Sequence, residues 1–322
     1  MDSFKLYKQR DIDKLLIGRA GEIKIAEKVQ VVAGLEEIES SPARFVLVGI
    51  PEDIGVRANY GIAGAASTWK PALVSILNIQ SNKFFNGNEL LVLGHFEIEE
   101  PKDVSVEGLR NKVSEIDNLV FPIIERIVAA GKIPIVIGGG HNNAYPIIKG
   151  AALALKNAID VLNIDAHADL RAMEGRHSGN GFSYALNEGF LNQYSIYGLH
   201  QNYNNAAILN QIDEDPKLNA VFFEDVLKGT DYQKLLADFG NRVGLEIDLD
   251  CIQNVLSSAE TPSGFAVNDI RKFLLTGNRI YSYLHLTEGA SRMLDGRVDR
   301  LTSKLIAYLV SDFIKAQLSF ID

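Results

Sequence analysis

The stretch Val161-Leu-Asn-Ile-Asp-Ala-His-Ala-Asp169 decides the reading of this chain. Its apolar start predicts a strand buried on both faces, which suits a parallel sheet. Directly after the apolar residues, Asp165, His167 and Asp169 occupy alternate positions. In extended chain such side chains share one side, so all three can converge on one spot. Hard carboxylates with one imidazole suit Mn²⁺, Zn²⁺ or Fe²⁺ better than a thiolate site would.

The same arrangement recurs on both sides of that stretch. Lys132-Ile-Pro-Ile-Val-Ile137 runs into Gly138-Gly-Gly-His141, and the predicted strand 242–248 runs into Asp248-Leu-Asp250. Further strands are predicted at 45–50, 90–93, 193–199, 220–223 and 279–286. Helical spacing covers 104–130, with Leu109, Val113, Ile116, Val120, Ile123, Ile124 and Ile127 on one side. Other helices are expected at 144–156, 231–239, 267–276 and 298–318. Alternating apolar strands and amphipathic helices imply an α/β fold, a parallel sheet with helices on both faces. In such sheets functional residues gather beyond the carboxyl ends of the strands. His141, the Asp165–Asp169 set, the Asp248–Asp250 pair and Glu288 all fall there.

Taken singly, each feature has a bland explanation. Aspartate after a strand is a common helix N-cap, and Asp248-Leu-Asp250 alone reads as a turn. Together, two imidazoles and four carboxylates exceed what one divalent ion needs. Two ions sharing carboxylates would use all six, and a water between them would lose a proton near neutral pH. The four acids would also offset the charge of the two ions.

The glycine-rich segment 51–65, with glycines at 55, 61 and 64, reads either as a tight loop beside a site or as an ordinary surface loop. Residues 1–40 read as one or two helices extending a single domain over 41–322, since no linker or repeat divides the chain. The 322 residues are 47% hydrophobic and 23% charged, ordinary for a globular protein. A single cysteine, Cys251, excludes an internal disulfide and fits a reducing compartment; it reads as buried apolar filler. The N-terminal residues are polar, and no apolar run approaches the roughly 20 residues needed to cross a bilayer. A net charge of −9 without a basic cluster argues against nucleic acid as a partner. A cytoplasmic location is expected, with no membrane association.

Gly138-Gly-Gly-His141, Asp165-Ala-His-Ala-Asp169 and Asp248-Leu-Asp250, in this order, resemble the ureohydrolase family of arginase, agmatinase and formimidoylglutamase. The looser likeness runs from about residue 45 to the C-terminus. It implies a three-layer α/β/α sandwich around a mostly parallel eight-stranded sheet. It also implies two Mn²⁺ per chain, one on His141 and Asp169, the other on His167 and Asp250, with Asp165 and Asp248 bridging. A hydroxide bridging the metals would attack the planar carbon of an amidine, with Asp169 assisting proton transfer. Glu288 falls where the family pairs a glutamate with the cationic substrate; the other reading is a surface charge at a strand end.

Within the family, Gly55-Val-Arg-Ala-Asn59 and Asp169-Leu-Arg171 are most similar to formimidoylglutamases. Arg171 would hold a substrate carboxylate by a bidentate contact, or else pair with a neighbouring acid. His177-Ser-Gly-Asn180 lies where arginases bind the amino-acid end, which assigns Ser178 and Asn180 to the substrate. Phe182 stands where arginases carry a shuttle histidine. The flanks Asn142-Asn143, Cys251-Ile252 and Gly289-Ala290 also depart from the family pattern. The resemblance thus implies hydrolysis of N-formimidoyl-L-glutamate to glutamate and formamide. The alternatives are an arginase or other guanidino-acid hydrolase, a single-zinc deacetylase-like enzyme, or a non-catalytic binding protein. The partner would be a small amidine or guanidino amino acid, and the family's oligomers are trimers or hexamers.

Overall fold

The computed structural model describes residues 3–237 and 239–320. Among these residues nine strands form one sheet: β1 Phe4–Leu6, β2 Phe45–Gly49, β3 Leu90–Phe96, β4 Ile133–Ile137, β5 Ile159–Ile164, β6 Leu191–Leu199, β7 Leu218–Phe222, β8 Val243–Asp248 and β9 Tyr283–Thr287. Their spatial order is β1-β3-β2-β4-β9-β8-β5-β6-β7. Every pairing is parallel except that of β1 with β3. The helices are α1 Gln9–Asp13, α2 Ile54–Ala58, α3 Trp69–Leu77, α4 Val106–Ala129, α5 Ala144–Leu155, α6 Gly181–Asn187, α7 Ala206–Glu214, α8 Phe223–Val226, α9 Val267–Thr276 and α10 Thr302–Leu318.

Strand alternation divides the core in two. Phe45, Leu47, Ile135, Leu245 and Leu284 pack with α3, α9 and α10 on one face. Val46, Val48, Val136, Val161 and Ile196 pack with α4 and α5 on the other. The chain is a three-layer α/β/α sandwich, as expected. The longest predicted helix is α4, where Ser105 Oγ accepts from Gly108 N at 3.1 Å and the predicted apolar positions are all buried.

The expected eight strands become nine, and the expected N-terminal helices are corrected at the same point. Phe4–Leu6 adds an antiparallel edge strand through Phe4 opposite Phe96. The rest of that region is the short α1 and two turns of 3₁₀ helix. Three residues are too few for a period of two to be read, and pairing with β3 supplies what local sequence does not. The segment expected as loop contains α2, and α3 was not predicted. The signal for α3 was present, because Trp69, Ala72, Leu73, Ile76 and Leu77 follow helical spacing and all are buried. Conversely, the expected helix at 231–239 is only a 3₁₀ turn, Gln233–Leu236. Among the described residues no helix is long and apolar enough to cross a membrane.

Candidate metal centre

The four central strands β4, β9, β8 and β5 are consecutive in the sheet, so their carboxyl ends lie side by side. Ile164 is level with Ile247 and Asp248 with Thr287. The residues just beyond are therefore brought together by register. After β4, the bend to His141 needs glycine. Gly138 has φ +90° and Gly139 φ +82°, and a Cβ on Gly139 would stand 2.3 Å from the Asn143 side chain. Glu52, itself buried, holds this bend by accepting from Gly140 N at 3.1 Å and from the side-chain amides of Asn142 and Asn143. The two asparagines that depart from the family pattern are thus explained by a buried carboxylate that needs donors.

All six expected ligands converge. His141 Nδ1 lies 3.2 Å from Asp165 Oδ2, 2.9 Å from Asp169 Oδ2 and 3.2 Å from Asp248 Oδ2. His167 Nδ1 lies 3.3 Å from Asp250 Oδ2 and 3.6 Å from Asp165 Oδ1. Two ligand groups result, His141 with Asp165, Asp169 and Asp248, and His167 with Asp165 and Asp250; Asp165 belongs to both. Despite these short distances His141 Nδ1 has no hydrogen-bond partner among the described residues, and buried Asp250 Oδ1 has none either. Side chains that crowd one point without sharing a proton fit a cation. Spacings near 3 Å match the edge of an octahedron with bonds of about 2.1 Å. The donor set is oxygen and imidazole nitrogen, suited to Mn²⁺ or Zn²⁺.

The electrostatics agree. Burial, then Asp250 and Asp165, push the Asp248 carboxyl well above its ordinary value. Burial and Asp165 raise Asp169 against the pull of His141. Burial alone would raise Asp165, but His141 and His167 outweigh it and hold Asp165 well below the usual range. Both imidazoles are pushed well up, because the facing carboxylates overcome the effect of burial. Positive charge is what this cluster lacks. Two backbone contortions mark the same place: Asp169 and Glu288 have φ +49° and +59°, left-handed values uncommon outside glycine.

A cavity of about 220 Å³ opens above the cluster. His167, Asp169, Asp248 and Asp250 form its floor, and Glu288, Ser178, Asn59, Tyr60 and Ser258 contribute to its walls. Glu288 directly follows β9. Its Oε1 accepts from His141 N at 2.8 Å, and burial, then Asp250 and Asp169, raise its carboxyl to about 8. Cys251, beside Asp250, is buried in the core as expected.

Of the expected substrate residues, Asn180 is placed elsewhere and Arg171 only borders the cavity. Asn180 is fully buried and wholly committed, accepting from Arg176 Nη1 and His177 N while donating to Ala172 O and Gly175 O. This corrects its assignment to the substrate: it braces the loop 172–180 from within. Arg171 stays outside the cavity wall, with its side chain 45% exposed. Its Nη1 donates to Asn59 Oδ1 at 2.7 Å and its Nη2 lies 3.6 Å from Glu174 Oε1. Asn59 Nδ2 in turn donates to Ser178 Oγ at 3.3 Å. Asn59 ends the stretch likened to formimidoylglutamases and Tyr60 lies among its glycines, but neither is assigned to the substrate from sequence, and Ser258 carries no such signal.

A parallel-sheet α/β protein with a candidate two-ion centre at its carboxyl edge is the class that fold and site define. Comparison with known proteins narrows it. The sequence model of the arginase family matches residues 43–276. Formimidoylglutamase of Streptococcus pyogenes serotype M3 is 30% identical over 223 residues, covering 64% of this chain and 64% of that protein. The match therefore spans a little under two thirds of the curated relative's length. Among solved structures, formimidoylglutamase from Bacillus subtilis superposes with TM-score 0.76 at 15% identity, covering 94% of this chain and 95% of that one. Trypanosoma cruzi formiminoglutamase with Mn²⁺ gives 0.70 at 19%, covering 92% and 98%. Agmatine ureohydrolase of Thermoplasma volcanium gives 0.71 at 22%, covering 97% and 98%. The chain belongs to the arginase family.

Proposed function

We propose that this chain hydrolyses a C–N bond of a linear amidine, with N-formimidoyl-L-glutamate as substrate and glutamate and formamide as products. The observation that carries the reading is the convergence of His141, Asp165, His167, Asp169, Asp248 and Asp250 beneath a cavity walled by Glu288. The likeness to formimidoylglutamases supports the choice of substrate. Two Mn²⁺ are the proposed cofactor: His141 and Asp169 would hold one and His167 and Asp250 the other, with Asp165 and, by family resemblance, Asp248 available to both. Bound there, they would supply Lewis acidity and lower the pKa of water toward neutrality.

The protein's own groups do the rest. Glu288, fixed through His141 N, faces the position of the cationic amidine; its carboxyl, raised to about 8, would ionise beside that positive charge and then orient the amidine. Asp169 sits at the floor of the same cavity, where it accepts and returns a proton. Ser178, Asn59, Tyr60 and Ser258 offer neutral hydrogen-bonding groups to the amino-acid end. Arg171, at the rim through Asn59, provides the positive charge that a substrate carboxylate would seek. Phe182, fully buried and 5.1 Å from the His141 ring, leaves no histidine in the arginase shuttle position and disfavours arginine. We place this activity in the cytoplasm.

The deciding assay supplies the chain with Mn²⁺ and offers N-formimidoyl-L-glutamate, arginine, agmatine and short guanidino acids. Formamide from the first is expected. Urea from a guanidino compound, with no formamide, would assign the chain to a urea-releasing member instead.

A further inference from the structure

Beneath the candidate metal centre lies a second set of polar side chains that the proposed reaction does not use. In the parallel ladder of β8 and β9, Glu246 is directly opposite His285 and Gly244 opposite Tyr283. Glu246, His285 and Tyr283 are all fully buried. Tyr283 Oη donates to Glu246 Oε1 at 2.8 Å, and His285 Nδ1 lies 2.6 Å from Glu246 Oε2. Gly244 makes room for this: a Cβ there would stand 2.3 Å from the Tyr283 ring. Glu246 is two residues before Asp248, so alternation directs it to the same side of the sheet, one step deeper.

Central strands of a parallel sheet are ordinarily apolar throughout. A buried carboxylate costs several kcal/mol unless other groups satisfy it. Two donors satisfy most of Glu246. Its Oε2 also lies 3.6 Å from His141 Nε2, and that nitrogen has no hydrogen-bond partner among the described residues. His141, Glu246 and His285 could themselves be taken for a third ion site. At 2.6 Å His285 Nδ1 and Glu246 Oε2 are at direct hydrogen-bond distance, which leaves no gap for an ion, and Oε1 is already committed to Tyr283.

We infer that Glu246, held by Tyr283 and His285, is a positioning residue for His141. Its carboxylate faces the Nε2–H of His141, fixes that tautomer, and leaves the Nδ1 lone pair directed at the point shared by Asp165, Asp169 and Asp248. Ligating histidines depend on such partners for orientation and basicity, at about 10- to 100-fold in metal affinity. The inference rests on the metal reading above and adds an asymmetry to it. Only the ion that uses His141 feels Glu246.

The test uses the full chain, in the native form and as Glu246→Gln and Tyr283→Phe, titrated with Mn²⁺ by calorimetry and electron paramagnetic resonance. Thermal unfolding of each metal-free protein is recorded alongside. Glu246→Gln is expected to weaken one of two ions by about 10- to 100-fold, leave the other within about twofold, and keep the metal-free Tm. Tyr283→Phe, which never touches His141, is expected to weaken the same ion by roughly 3- to 10-fold. Two native-affinity ions in Glu246→Gln would overturn the inference, as would equal loss at both sites with a lowered metal-free Tm. If Glu246→Gln does not fold, Tyr283→Phe decides: selective loss at one ion supports the inference and native affinity overturns it. A native chain that binds no Mn²⁺ would remove the metal reading itself and this inference with it. Two ions in the native chain with unchanged variants would remove the inference alone.

Discussion

The floor and the rim of the cavity are built from different material. The floor comes from residues at or just past the ends of β4, β5 and β8, and the six candidate ligand side chains cluster there. The rim near the proposed amino-acid end comes from the loop 171–180. Of its three expected residues, Ser178 faces the cavity, Asn180 is buried in the loop and Arg171 stands outside. A strand fixes the direction of its side chains by alternation, and its neighbours fix its height. A loop fixes neither; its side chains go where its own unpaired backbone groups need them. Asn180 is the example, since its amide answers two carbonyls and a backbone N–H that no strand satisfies.

The sharpest break in this comparison is a change to the floor. Asp248→Ala should remove Mn²⁺ from at least one site and lower turnover by about 10³-fold or more, as measured by metal content and product release. Glu288→Gln sits between floor and rim. It keeps the shape and removes the group that can ionise opposite the amidine, so bound Mn²⁺ should be retained while kcat/KM falls by roughly 10²- to 10³-fold. Equal loss of metal would move Glu288 into the floor.

At the rim the two expected substrate residues should separate. Arg171→Ala should raise KM about 10-fold with little change in kcat or Tm, which a steady-state assay reads. Asn180→Ala should do the reverse, lowering stability by about 2 kcal/mol or more through the groups it strands, with KM near native below the unfolding transition. An unchanged Tm in Asn180→Ala would contradict the bracing role.

The smallest effect concerns His177, buried in the same loop, with its Nδ1 accepting from Gly179 N at 3.2 Å. Burial, then Arg110 and Arg171, lower its pKa to about 4. The unfolded chain takes up this proton near pH 6.5, while the folded protein refuses it until about pH 4. The stability it contributes is therefore complete above pH 6.5 and lost as pH falls through that window. His177→Asn, which can still accept from Gly179, should flatten that part of the Tm profile by a few degrees.

Much of the floor was legible because its signals are local. Apolar runs ended at His141, Asp165 and Asp248, and alternate spacing aimed Asp165, His167 and Asp169 together. The helix α3 was equally legible in its spacing, whereas β1 was not, because an edge strand of three residues exists only through its pairing with β3. The wall residues Asn59, Tyr60 and Ser258 carried little pattern, being polar residues on connections whose course depends on what they pack against.

The amino-acid sequence by itself determined the α/β class, the candidate ligand types and the ends of the strands that bear them, since periodicity and the glycines before His141 act over a few residues. Only the tertiary structure decided that β9 and β8 fill the space between β4 and β5, that Glu246 stands opposite His285, and that Asn180 turns inward. Those outcomes depend on pairing between segments far apart in the chain, where hydrogen-bond register and the need to satisfy buried polar groups outweigh any local preference.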